Sequence, residues 1–233
     1  MSLISLLNKH CPKYETTIPS TKNKIWFRPF LVKEEKKLLI VQEFGTEKEI
    51  INCMIEVLET CFDSNIFKTL PTFDIEYLFL QLRAKSISPI VTPIITCPYT
   101  EEKIKIEIDL NEINVIFDTN HTKILNLGNN ITLIMKYPSI DTLMKTTTIS
   151  EESIYDIALS CMESIQTTDE LVECVTHPKK ELEEFLNHLT SDQFSQITNF
   201  FKSIPKIEKE ITYITSDGEK RTIILQGIKD FFV

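Results

Sequence analysis

The chain has 233 residues, 42% of them hydrophobic, and a formal net charge of −9. That length and apolar content are enough for a buried core. The acidic balance argues against a general nucleic-acid binder, whose phosphate affinity rests on Lys and Arg. Four glycines, at 45, 128, 218 and 227, lie too far apart for the Rossmann or P-loop phosphate motifs, which excludes the usual nucleotide chemistry.

The cysteines at 11, 53, 61, 97, 161 and 174 are scattered singly, mostly at apolar helix positions. They read as buried thiols rather than as a disulfide framework. The opening MSLISLLNKH lacks the basic start of an export signal and the length of a membrane span, which predicts a protein made and assembled in the cytosol.

Residues 1–25 are polar and proline-punctuated and read as an arm or an irregular strand. IWFRPFLV, with the only tryptophan, Trp26, then forms a short extended run. In TEKEIINCMIEVLETCF, Thr46 and Glu49 have capping-box spacing, and Ile51, Met54, Ile55, Leu58 and Cys61 share a helical face. DIEYLFLQLRAKS repeats the pattern with Ile75, Leu78, Phe79 and Leu82 inward, so residues 26–88 are expected to be mainly helical.

From Pro89 to Pro138 the period changes to two. KIKIEIDL sets Ile104, Ile106 and Ile108 against Lys105, Glu107 and Asp109, the pattern of a half-buried antiparallel strand. GNN at 128–130 signals a hairpin turn. Residues 89–138 thus predict a small antiparallel sheet.

Helices return over 139–206. Ser150 caps EESIYDIALSCMESI, with a stripe of Ile154, Ile157, Ala158, Cys161 and Ile165. KKELEEFLNHL follows, and then SDQFSQITNFFKSI with Ser191 as its cap and Phe194, Ile197, Phe201 and Ile204 as its stripe. Residues 207–233 close the chain as a hairpin on Asp217-Gly218 with a short tail. The expected architecture is α+β: helical N- and C-terminal segments around a small antiparallel sheet, in a single domain over 26–233.

CPYTEEKIKIEIDL (97–110) and ITSDGEKRTIILQG (214–227) align without a gap, with Ile106 opposite Ile223 and Ile108 opposite Leu225. Two such ribbon-like hairpins are the parts of a zinc ribbon. Its four ligand positions here would be Cys97, Thr100, Ile214 and Asp217. One cysteine and one carboxylate cannot hold tetrahedral zinc, so neither metal nor cofactor is expected.

Other chemistry is weaker. Cys174-x-x-His177 has ligand spacing without a second pair, and reads as a core cysteine with a surface histidine. Adjacent His10 and Cys11 point apart in an extended arm. No GxSxG elbow occurs. Glu34-Glu35, Glu101-Glu102, Glu151-Glu152 and Glu183-Glu184 read as solvated surface. Trp26 with Phe27 and Phe30 reads as a core anchor before a stacking platform, and Phe231-Phe232 as buried in the domain or in a neighbour. Trp26, Phe30, Phe231 and Phe232 are therefore the candidate interface residues of a non-enzymatic module.

RPFLVKEEKKLLI (28–40), DIEYLFLQLRAKSIS (74–88), TCPYTEEKIKIEIDL (96–110) and DGEKRTIILQGIKDFF (217–232), in that order, resemble the T4-like bacteriophage baseplate protein family of hub subunits and hub-assembly factors. The resemblance runs over roughly 26 to 233. It implies hairpins that often carry CxxC pairs like a zinc ribbon; this chain keeps Cys97 and Pro98 and lacks cysteine at 100, 214 and 217. It further implies a structural or assembly role in the hub of a contractile tail, with other baseplate proteins as partners, an oligomer within that assembly, and a virion location. A transient hub chaperone absent from the virion is the alternative, and a zinc-ribbon regulator or nucleic-acid-binding module is the third reading.

Overall fold

The structure, a computed structural model, describes residues 11–145, 151–227 and 230. The architecture is α+β, with seven α-helices and several small antiparallel sheets among the described residues. The chain divides into two compact units, Met1–Ile116 with Lys206–Val233, and Phe117–Pro205. The sequence predicts one domain over 26–233. The division follows from packing: each unit closes its own apolar cluster.

In the first unit the arm is a hairpin, β1 (Tyr14–Thr17) paired antiparallel with β2 (Lys24–Phe27). Its turn is fastened by the fully buried Asp74, which accepts hydrogen bonds from the Ser20 amide (2.9 Å) and the Ser20 hydroxyl. Helices α1 (Val32–Phe44), α2 (Glu47–Cys61) and α3 (Thr72–Ser86) follow. The α2 capping box forms as expected: Thr46 accepts from the Glu49 amide, and the Glu49 carboxylate accepts from the Thr46 amide at 2.7 Å. Helix α1 has no clean amphipathic period, since its apolar residues run together from Leu38 to Val41. Glu34 alone among its residues is fully buried, and Arg28 neutralises it at 3.3 Å.

The predicted strand KIKIEIDL is two short strands, because its partner is interrupted. β3 (Ile90–Val91) and β4 (Ile94–Thr96) are separated at Pro93; β4 pairs with β5 (Lys103–Lys105), and β3 with β6 (Ile108–Asp109). The inward face is as expected, for Ile106 and Ile108 are buried and Ile104 packs against the same cluster. β7 (Val115–Ile116) pairs with β12 (Lys206–Ile214), and β12 with β13 (Lys220–Gln226), giving the order β13-β12-β7. Leu80, Val91, Ile95, Cys97, Leu110, Ile207 and Leu225 meet in this core.

The second unit is a four-stranded antiparallel sheet with helices against it. β8 (Ile124–Gly128) and β9 (Ile131–Met135) form the predicted hairpin, with Gly128, Asn129 and Asn130 all at positive φ (83°, 51° and 61°). After α4 (Ile140–Lys145) and α5 (Glu151–Cys161), the chain changes to strand β10 (Met162–Gln166) and then β11 (Leu171–Glu173). Ile165 therefore lies on a strand paired with Leu133 and Val172, not on the helical stripe. The Ser150 cap lies outside the described residues. Helices α6 (Lys179–Asn187) and α7 (Ser191–Lys202) complete the unit. The α7 cap is Thr190 rather than Ser191: its hydroxyl accepts from the Gln193 amide, and Gln193 Oε1 accepts from the Thr190 amide. Ile197 and Phe200 are its fully buried residues, beside Leu133, Met135, Ala158, Cys161, Met162 and Leu186.

Candidate functional site

The two hairpin turns that frame the ribbon-like units come together. In the first, between β4 and β5, the Cys97 amide donates to the Glu102 carbonyl and the Glu101 amide to the Cys97 carbonyl, both at 2.9 Å. Glu101 closes the turn at φ +57°. In the second, between β12 and β13, the Thr215 amide donates to the Glu219 carbonyl at 3.1 Å and the Gly218 amide to the Thr215 carbonyl at 2.9 Å. Gly218 sits at φ +81°, a conformation glycine adopts without a Cβ clash.

The second turn is one residue shorter than the first, and this corrects the gap-free alignment. Thr215, 4% exposed, takes the inward place corresponding to Cys97, while Ile214 is 70% exposed. Of the four ribbon positions, Cys97, Thr100 and Asp217 stand at the paired turns and Ile214 does not.

Cys97 is fully buried. The hydroxyls of Thr100 and Tyr213 are buried beside the Cys97 thiol. A thiol accepts weakly, so a thiolate would satisfy these hydroxyls better. Burial pushes the Cys97 thiol up, but hydrogen bonds from the Thr100 and Tyr213 side chains and from the Tyr99 and Thr100 amides outweigh it and bring it to about 7. The buried thiols of Cys61 and Cys161 move the other way, to about 11 and about 12, because burial dominates there.

A second layer ties the turns together. Arg221 pairs with Asp217 at 2.7 Å, donates from Nε to Thr215 Oγ1 at 3.1 Å, and lies over the Tyr99 ring at 4.7 Å. Hydrogen bonds from Thr215 and the Arg221 guanidinium hold the Asp217 carboxyl down at about 2. From the first turn, Glu102 accepts from the Ser216 amide at 3.1 Å and from the Ser216 hydroxyl, which lowers its own ionisation range. Tyr213, Thr215, Ser216 and Arg221 carry this cluster without being flagged by motif spacing. The available signal was the unequal turn lengths, CPYTEE against TSDGE.

This donor set does not fit tetrahedral zinc. It offers one thiol, hydroxyls, and a carboxylate already committed to Arg221. Among the described residues no three His, Cys, Asp or Glu side chains gather as a metal site. Cys174 is buried in the second unit, whereas His177 bonds Glu181 through Nδ1 at 2.8 Å.

The interface candidates separate. Phe30 is buried, with its amide donating to Ser86 Oγ at 3.0 Å, so it is a core residue. Trp26 is 49% exposed on the β1–β2 hairpin, where strand alternation turns Ile25 and Phe27 inward and Trp26 out. It is therefore not the core anchor; Phe27 is, stacked on Phe62 with centroids 4.8 Å apart. Phe231 and Phe232 lie outside the described residues.

Fold and site together define a two-unit α+β protein whose paired hairpin turns are cross-linked by polar contacts around the buried Cys97, Tyr213 and Thr215. The family model described as T4 bacteriophage base plate protein matches residues 11–233, and the chain belongs to that family. Searches of the curated proteins and of the solved structures each return no match.

Proposed function

We propose that this chain is a structural and assembly subunit of the baseplate hub of a contractile-tailed phage, acting through protein–protein contacts rather than catalysis. Membership of the base plate family over residues 11–233 carries the reading. Helix α1 adds physical support, for Val32 and Phe44 are 79% and 78% exposed, and Leu39 and Ile40 are also exposed. Apolar side chains grouped on one helix favour docking onto another protein. Trp26 belongs to the same proposed set of contacts, as do Phe231 and Phe232. The chain is assembled in the host cytoplasm and resides in the tail baseplate. No described helix is long and apolar enough to cross a membrane.

Deleting the gene and examining the particles tests this. The expected outcome is tails with defective baseplates, together with peptides of this chain in purified wild-type virions by mass spectrometry. Peptides found in assembly intermediates but never in virions make the protein a transient chaperone instead. Normal tails from the deletion reject both roles.

A further inference from the structure

The sheet β13-β12-β7 ends on β13, a seven-residue strand with no neighbour on its outer side among the described residues. Its register with β12 runs from Lys220 opposite Ile214 to Gln226 opposite Glu208 without a shift. Bonds from the Thr215 amide to the Glu219 carbonyl and from the Gly227 amide to the Ile207 carbonyl mark the odd-numbered residues of β13 as those bonded to β12. Antiparallel alternation then turns the N–H and C=O groups of Lys220, Thr222, Ile224 and Gln226 outward. The Gln226 amide donates to Asp230 Oδ2 at 2.7 Å, and the outward amides of Lys220, Thr222 and Ile224 meet no partner among the described residues. All three side chains are exposed, Ile224 at 55%.

Proteins commonly blunt such edges. Here β11 is only three residues long and β7 two. β8 carries a register shift between Asn126 and Gly128, and its Leu127 carbonyl accepts from Gln193 Nε2 at 2.6 Å. β13 has neither bulge nor proline.

We propose that β13 pairs antiparallel with β13 of a second copy, joining two three-stranded sheets into one of six strands. The self-pairing follows from parity and charge. With Ile223 on the two-fold axis, Thr222 stands opposite Ile224, so the outward groups of these two residues bond across the axis while the Gln226 amide stays with Asp230. Asp230, held at Gln226, then lies beside Lys220 of the second copy at both ends of the ladder. Each exposed Ile224 is covered by the Thr222 methyl of its neighbour. This pairing is independent of the hub role proposed above.

Light scattering on the purified full chain should show, with rising concentration, a species of twice the 27.0 kDa chain mass. Amide exchange at Thr222 and Ile224 should slow over the same range. Thr222→Pro deletes an outward amide that the β12–β13 ladder does not use, so it should abolish the dimer and leave the circular dichroism unchanged. Lys220→Glu should weaken association about tenfold or more by placing like charges together, and Asp230→Lys added to it should restore the dimer. A chain that stays monomeric at every concentration overturns the proposal. So does a dimer indifferent to both Thr222→Pro and Lys220→Glu, or an edge that pairs only with a different protein.

Discussion

Cys97 shows how one side chain's chemistry depends on its neighbours. Its thiol is buried, yet it is brought to about 7, against burial, by donors from Thr100, Tyr213 and the turn backbone. The folded value lies below the ordinary 9.0, so the thiolate stabilises the fold fully above pH 9, and that contribution is lost as pH falls through about 7. Melting temperature should therefore rise between pH 7 and 9 in the wild type more than in Cys97→Ser. Tyr213→Phe removes one donor and should move the first thiolate absorbance step to higher pH. A flat Cys97→Ser difference across this range would contradict the thiolate account. Asp217, held at about 2 by Thr215 and Arg221, contributes above the ordinary carboxylate range and loses its contribution only in strong acid.

At the scale of elements, the two hairpins owe their placement to short turns of unequal length. The longer Cys97–Glu102 turn and the shorter Thr215–Glu219 turn bring Cys97 and Thr215 to the inside together. Behind them Leu225 of β13 reaches the core shared with Leu80 and Ile207. Leu225→Ala should cost about 2–5 kcal/mol in chemical denaturation, the range for buried leucine truncation. Strand alternation also explains Trp26, where a single-residue step along β2 separates the buried Phe27 from an indole at the surface.

Across the whole molecule, the chain leaves the first unit after Ile116 and returns to it at Lys206, so the second unit is an insertion between β7 and its partner β12. Each unit has its own apolar cluster. Leu133→Ala, at a fully buried position of the second cluster, should raise amide exchange through residues 124–202 well before residues 206–226. Equal acceleration in both units would show that they unfold as one.

Local signals were legible where they were self-contained. The α2 capping box, the apolar faces of α2 and α3, the GNN hairpin and the Asp217-Gly218 turn all follow from side-chain period and turn chemistry, which depend on neighbours within a few residues. The family resemblance was legible too, because an ordered set of motifs survives without its tertiary context. Tertiary structure alone decided the rest: which side of α1 is buried, since its run of apolar residues has no period to read; the switch from α5 to β10 after Cys161, imposed by pairing with β9; and the return of β12 to β7. It also decided that Thr215, not Ile214, joins Cys97. That choice depends on two turns remote in sequence meeting in space, a long-range constraint that sequence period does not encode.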